Sequence, residues 1–92
     1  MGDAAMSKTL EVKNKLGLHA RAAALWVQTV APFEADITVS KDEQTVDGKS
    51  ILGLMMLAAA QGCVIEVHAS GPQAAEAIAA IERLVEQKFH EE

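Results

Sequence analysis

Each stretch of this chain that alternates like a β-strand has only one apolar face. In "TLEVKN", Thr9 to Asn14, Leu10 and Val12 alternate with Glu11 and Lys13. In "ADITVS", Ala35 to Ser40, Ile37 and Val39 alternate with Thr38 and Ser40. In "CVIEVHA", Cys63 to Ala69, the residues Cys63, Ile65 and Val67 share a side, and Glu66 and His68 share the other. A period of two with one polar side predicts half-buried strands. A sheet with one wet face favours antiparallel pairing, because parallel sheets are covered on both sides. Gln44 to Val46, after the polar turn "KDE", reads as a short returning strand.

Between these strands the period changes to that of a helix. Ala20 to Ala31 carries an apolar stripe of Ala20, Ala23, Ala24, Val27 and Val30, and Pro32 ends it. Asp47-Gly48 marks a turn, Ser50 suits an N-cap and Gly62 suits the residue past a C-cap, so a second helix is expected between them. After Gly71-Pro72 a third helix buries Ala74, Ala77, Ile78, Ile81, Leu84 and Val85. The order β-α-β-β-α-β-α therefore predicts a two-layer α/β open-faced sandwich with three helices on one sheet face. No linker, repeat or low-complexity segment divides the chain: residues 1–6 read as a frayed tail and 7–92 as a single domain.

Acidic residues outnumber basic ones by 13 to 8, a formal charge of −5, which argues against a nucleic-acid partner. No apolar run approaches the roughly 20 residues of a membrane span, and no signal peptide stands out, so a cytoplasmic protein with no membrane partner is expected. The lone Cys63 permits no internal disulfide and reads as a buried strand residue. His19, His68 and His90 lack metal-ligand spacing, so neither a metal nor a cofactor is expected. His68 belongs to the wet sheet face and His90 to a frayed C-terminus. Trp26 is expected to be partly exposed.

The chemistry concentrates at "GLHAR", Gly17 to Arg21. His19 sits at the start of the first helix, where N–H groups have no intrahelical acceptor and the macrodipole is positive. That field disfavours a charged imidazolium and leaves a neutral, nucleophilic ring. The backbone N–H groups of Ala20 and Arg21 offer a seat for a phosphate, and the Arg21 guanidinium offers a charged fork. Gly17 lets the backbone turn sharply ahead of the histidine. On these residues alone two readings stay open: a surface histidine that caps a helix, and a histidine that accepts a phosphoryl group.

The second helix, "SILGLMMLAAAQG", is apolar all round. With Leu54, Leu57 and Ala58 toward the sheet, Ile51, Leu52 and Met55 lie opposite; an exposed aliphatic patch of that kind marks a docking surface, unless the N-terminal segment folds over it or a second copy covers it. Ser50 reads either as a plain N-cap or as a site of modification. The capping-box partner is absent, because Gly53 stands at N3.

Together, "GLHAR" and "GKSILGLMMLAAAQG" resemble the HPr family, the phosphocarriers of the bacterial phosphoenolpyruvate-dependent phosphotransferase system. The resemblance spans about Ser7 to Lys88. It implies an antiparallel sheet of order 1-4-2-3, phosphorylation of His19 on Nδ1, and contact of Arg21 with the phosphoryl group. It implies that Ser50 is the serine modified by an HPr kinase/phosphorylase in hosts that have one. It also implies docking of enzyme I and enzyme IIA domains on the second-helix patch. Such a protein is a stoichiometric carrier rather than a standalone turnover enzyme. Ala22 stands where the family often has proline. Ala24, Gln28 and Ala31 leave the first helix without the basic residues some members carry. That bears on partner choice, and it keeps a nitrogen-branch regulatory carrier beside the sugar-uptake carrier. A small non-catalytic α/β binding module is the rival of a different class.

Overall fold

The computed structural model describes residues 5–91. The strands are β1 (Ala5–Glu11), β2 (Asp36–Lys41), β3 (Gln44–Asp47) and β4 (Val64–Ser70), and the helices are α1 (Ala20–Val30), α2 (Ile51–Met56) and α3 (Ala74–Glu86). The sheet order is β1-β4-β2-β3, and every pairing is antiparallel. Leu10, Ile37, Val39, Ile65 and Val67 are buried beneath the helices, while Glu11, Thr38 and Glu66 are exposed on the other face. The single apolar face of each strand thus sets the architecture: an open-faced sandwich of order 1-4-2-3, as expected.

Several local expectations shift. β1 starts at Ala5, inside the stretch read as a tail, and Ala5 and Met6 pair with Ser70 and Ala69. The alternation there was hidden because Lys8, opposite buried Val67, takes an inward position. Its ammonium reaches Glu82 on α3 at 3.3 Å, so an amphipathic stem stands where an aliphatic residue would signal a strand. Residues 1–4 of the expected tail lie outside the described residues. β1 ends at Glu11, although Val12 continues the pairing through backbone bonds to Cys63 and Gly62. Cys63 precedes β4 and is only partly buried, contrary to its expected place inside the strand.

The buried face of α1 is Ala22, Ala23, Trp26 and Val30. It is rotated from the expected stripe, since Ala20 is exposed and Ala24 and Val27 are half-buried. Trp26 is fully buried rather than partly exposed. It has by far the most apolar area to remove from water, so it takes the centre of the interface. The aromatic ring of Phe89 stacks on it, with centroids 6.5 Å apart.

Helix α2 ends far short of Gly62. Leu57 is its C-cap and Ala58 is left-handed at φ 52°. Leu54 and Leu57 are buried as expected, but Ala58 is exposed. The helix gives way because the following backbone has another partner: the Ala59 carbonyl accepts the Leu18 N–H at 2.9 Å. Gly17, at φ 68°, faces the same carbonyl, and a Cβ there would collide with the Ala59 oxygen. The segment after α2 is therefore a shelf on which the loop before α1 rests.

Past α3 the chain makes a turn that no glycine or proline announces. Lys88, Phe89 and His90 have φ of 55°, 54° and 57°. Three consecutive left-handed residues with side chains are strained. Burial of Phe89 against Trp26 holds this hook against α1.

Candidate functional site

The loop that carries His19 is fixed at both ends. On one side Leu18 is buried and bonded to the Ala59 shelf. On the other, His19 is the N-cap of α1, with extended backbone at φ −77° and ψ 179°. Its carbonyl accepts the Ala23 N–H at 2.9 Å, the first turn of the helix. The ring therefore stands over the open end of the helix, about a third exposed.

The two ring nitrogens meet opposite environments. Nδ1 accepts the Arg21 backbone N–H at 3.3 Å. Nε2 faces the Glu91 carboxylate at 3.6 Å, ion-pair distance rather than a hydrogen bond. A nitrogen that accepts cannot carry the proton, so in the neutral ring the hydrogen belongs on Nε2. The Nδ1 lone pair then points at the helix start, where an incoming anion would find backbone donors and the positive dipole end.

Glu91 is held by more than the ring. Its Oε1 accepts from the Asn14 side-chain amide at 2.8 Å, and its Oε2 accepts the Leu16 N–H at 3.1 Å. The same Asn14 amide donates to the Gly17 carbonyl at 2.8 Å, so Asn14 ties the hook to the loop. Asn14 is the one buried polar residue among those described. Its hydrogen bond is the main reason the Glu91 carboxyl lies below its ordinary range. Partial burial opposes this, while the Leu16 N–H and a charged His19 ring reinforce it.

His19, Arg21, Leu16, Ala22, Phe89, His90 and Glu91 line one cup of about 240 Å³. Among the described residues the Arg21 guanidinium makes no ion pair or side-chain hydrogen bond, so it is available to an anion entering the cup. The structure thus brings together the two expected residues and adds four unforeseen ones: Asn14, Phe89, His90 and Glu91. His90, expected in a frayed end, lines the cup. A polar asparagine closing an apparent strand was the available signal for the first. The hook depends on a left-handed turn for which the sequence carries no glycine.

Ser50 caps α2, its Oγ accepting the Gly53 N–H at 3.0 Å, so the capping reading holds as geometry. Ile51, Leu52 and Met55 are exposed, with Leu52 at 68%, and Met56 joins them at 61%. Met56, to which neither side was assigned, extends the exposed apolar patch.

The structure sets a histidine over a helix start, an arginine beside it and an exposed apolar helix on an open-faced α/β sandwich. The family model described as "PTS HPr component phosphorylation site" matches residues 6–87. The chain belongs to the HPr family, the phosphocarrier proteins of the phosphotransferase system. It is 46% identical over 86 residues to the phosphocarrier protein HPr of Neisseria meningitidis serogroup A, covering 94% of this chain and 97% of that one. It is 40% identical over 88 residues to the phosphocarrier protein NPr of Escherichia coli K12, covering 95% and 98%. A crystal structure of an HPr from Thermoanaerobacter tengcongensis superimposes with a TM-score of 0.90 at 49% identity, covering 95% of this chain and 98% of that chain.

Proposed function

We propose that Nδ1 of His19 accepts a phosphoryl group from phosphorylated enzyme I and passes it to a histidine on an enzyme IIA domain, in the cytoplasm. The observation that carries this reading is the division of labour on the ring: Nδ1 toward the α1 amide, Nε2 toward a carboxylate. In the accepting step the Nδ1 lone pair forms a bond to phosphorus as the donor's P–N bond breaks and its electron pair returns to the donor ring. The phosphoryl oxygens then meet the N–H groups of Ala20 and Arg21 and the Arg21 guanidinium. Transfer between two histidines asks the carrier for position, a neutral nucleophile and charge stabilisation. The test is incubation with phosphoenolpyruvate and enzyme I, followed by a panel of enzyme IIA domains. Failure to take phosphate would leave the non-catalytic binding module, and transfer confined to nitrogen-branch acceptors would assign the other branch.

The patch of Ile51, Leu52 and Met55 is the docking surface in this reading. Leu52→Glu should leave the melting temperature within a few degrees, because the residue is exposed. It should weaken enzyme I binding at least about tenfold, since a charge would have to be desolvated in an apolar contact. Unfolding of the variant with unchanged binding per folded molecule would remove Leu52 from the interface.

Ser50 is the regulatory site in this reading, modified by an HPr kinase/phosphorylase in hosts that encode one. A phosphate there would keep an acceptor for the Gly53 N–H while placing charge beside Ile51 and Leu52. Ser50→Asp, which also keeps the cap, should melt with the wild type. It should slow enzyme I-dependent phosphorylation roughly fivefold, the scale of one exposed charge. Equal rates at equal melting temperature would leave Ser50 as a cap only.

A further inference from the structure

Helix α2 ends in two consecutive thioethers, and both face water. Met55 is 40% exposed and Met56 61%. Met55 lies one helical turn past Ile51 and Met56 one turn past Leu52, so each sulfur adjoins an exposed aliphatic side chain on its own face. The backbone beneath them is pinned: the Met55 carbonyl accepts the Ala58 N–H at 3.1 Å, and the Met56 carbonyl accepts from the Gln44 side chain at 3.3 Å. A methionine differs from leucine in one chemical respect that matters on such a surface. Its sulfur takes an oxygen atom reversibly, and the apolar side chain becomes polar. Two of the chain's four methionines stand on this patch, where Ile51 and Leu52 offer no comparable chemistry.

We propose that Met55 and Met56 are a reversible oxidation site that gates docking: hydrogen peroxide converts their thioethers to sulfoxides, which lowers affinity for enzyme I, and reduction restores it. This rests on the reading of the α2 patch as the surface enzyme I covers. In the forward step a sulfur lone pair attacks one oxygen of the peroxide and the O–O bond breaks. The departing hydroxide takes the proton from the oxygen now on sulfur and leaves as water. The sulfur loses two electrons and the peroxide gains them. In the return step a methionine sulfoxide reductase removes that oxygen as water while two thiols become a disulfide. In the free protein each S–O dipole stays in water, so the fold is undisturbed. In the complex it would lie between Ile51, Leu52 and apolar groups of the partner with no donor to meet it, and the contact weakens. Neither methionine lines the cup that holds His19, so the transfer chemistry itself is untouched.

The test treats the full chain with hydrogen peroxide until mass spectrometry finds an oxygen on both Met55 and Met56. The peroxide is then removed, and dithiothreitol returns Cys63 to the thiol; enzyme I is left untreated. At carrier concentrations below KM, the oxidised protein should be phosphorylated about tenfold more slowly than the untreated one. The loss should lie in KM, with kcat and the melting temperature little changed. Methionine sulfoxide reductase should restore the rate. Met55→Leu/Met56→Leu, compared only with its own untreated form, should not slow under the same treatment, although Met1, Met6 and Cys63 remain oxidisable. Equal rates for oxidised and untreated wild type would overturn the proposal, as would a double variant slowed as much as wild type. A fall in kcat at constant KM would overturn it too, because the effect would then lie in the chemistry at His19. The reductase arm needs no variant: a rate still low once both sulfoxides are removed places the damage elsewhere. Untreated wild type that takes no phosphate from enzyme I would end the carrier reading, and this proposal with it.

Discussion

His19→Ala should reduce phosphorylation by phosphoenolpyruvate and enzyme I to background while leaving the fold intact. The ring is about a third exposed and supplies no core contact, so its removal costs mainly the N-cap interaction. What would disappear is the proposed nucleophile, and no other histidine among the described residues has the same setting. His68 lies on the open sheet face beside Glu66 at 3.4 Å, away from any helix start. His90 shares the cup, but it belongs to the hook and caps no helix. Label in the wild type should be lost in acid, as a P–N bond is. Label retained by His19→Ala would end the account. Arg21→Ala separates charge stabilisation from nucleophilicity: its guanidinium is exposed, so the variant should melt with the wild type. It should transfer roughly ten- to a hundredfold more slowly, less than the loss from deleting a buried transition-state donor because solvent screens Arg21.

Phe89→Ala should be the most destabilising change near the site. Phe89 is 4% exposed and stacked on fully buried Trp26. Truncating a buried phenylalanine costs about 3–5 kcal/mol. The lower end applies because a terminal hook can swing away rather than leave a cavity. In a domain of 92 residues about 3 kcal/mol corresponds to a melting temperature lower by roughly 15 °C. Trp26 is the sole tryptophan, so its emission reports the same event directly. It should shift to longer wavelength as water reaches the indole. The released hook would also carry Glu91 from His19. An unshifted emission and a melting temperature within a few degrees of wild type would mean that Phe89 does not hold the hook.

The sheet was legible because strand sidedness is a local property. Ile37, Val39, Ile65 and Val67 alternate with polar neighbours, and that alternation survives folding unchanged. The third helix was legible for the same reason, with a single apolar stripe ending at Val85. What failed to show depended on partners distant in sequence. The α1 stripe was misplaced because the small apolar residues fit either orientation, and the choice was made by Trp26 and Phe89, 63 positions apart in the chain. The early end of α2 came from Ala59 pairing with Leu18 across the fold, which outweighed a run of good helix formers. The site divided likewise. His19 and Arg21 could be placed at a helix start from adjacency, and their roles came only with the family resemblance. Asn14 and Glu91 could not, since their meeting is a matter of tertiary geometry.

One nitrogen of one histidine, Nδ1 of His19, is predicted to take the phosphoryl group. Nitrogen-15 and phosphorus-31 spectra of the ring-labelled protein, recorded after phosphorylation by enzyme I, address it without any substitution. Phosphorus coupled to Nδ1 of His19, with a hydrogen kept on Nε2, is the predicted result. Phosphorus on Nε2 of His19, or on His90 across the same cup, would contradict it.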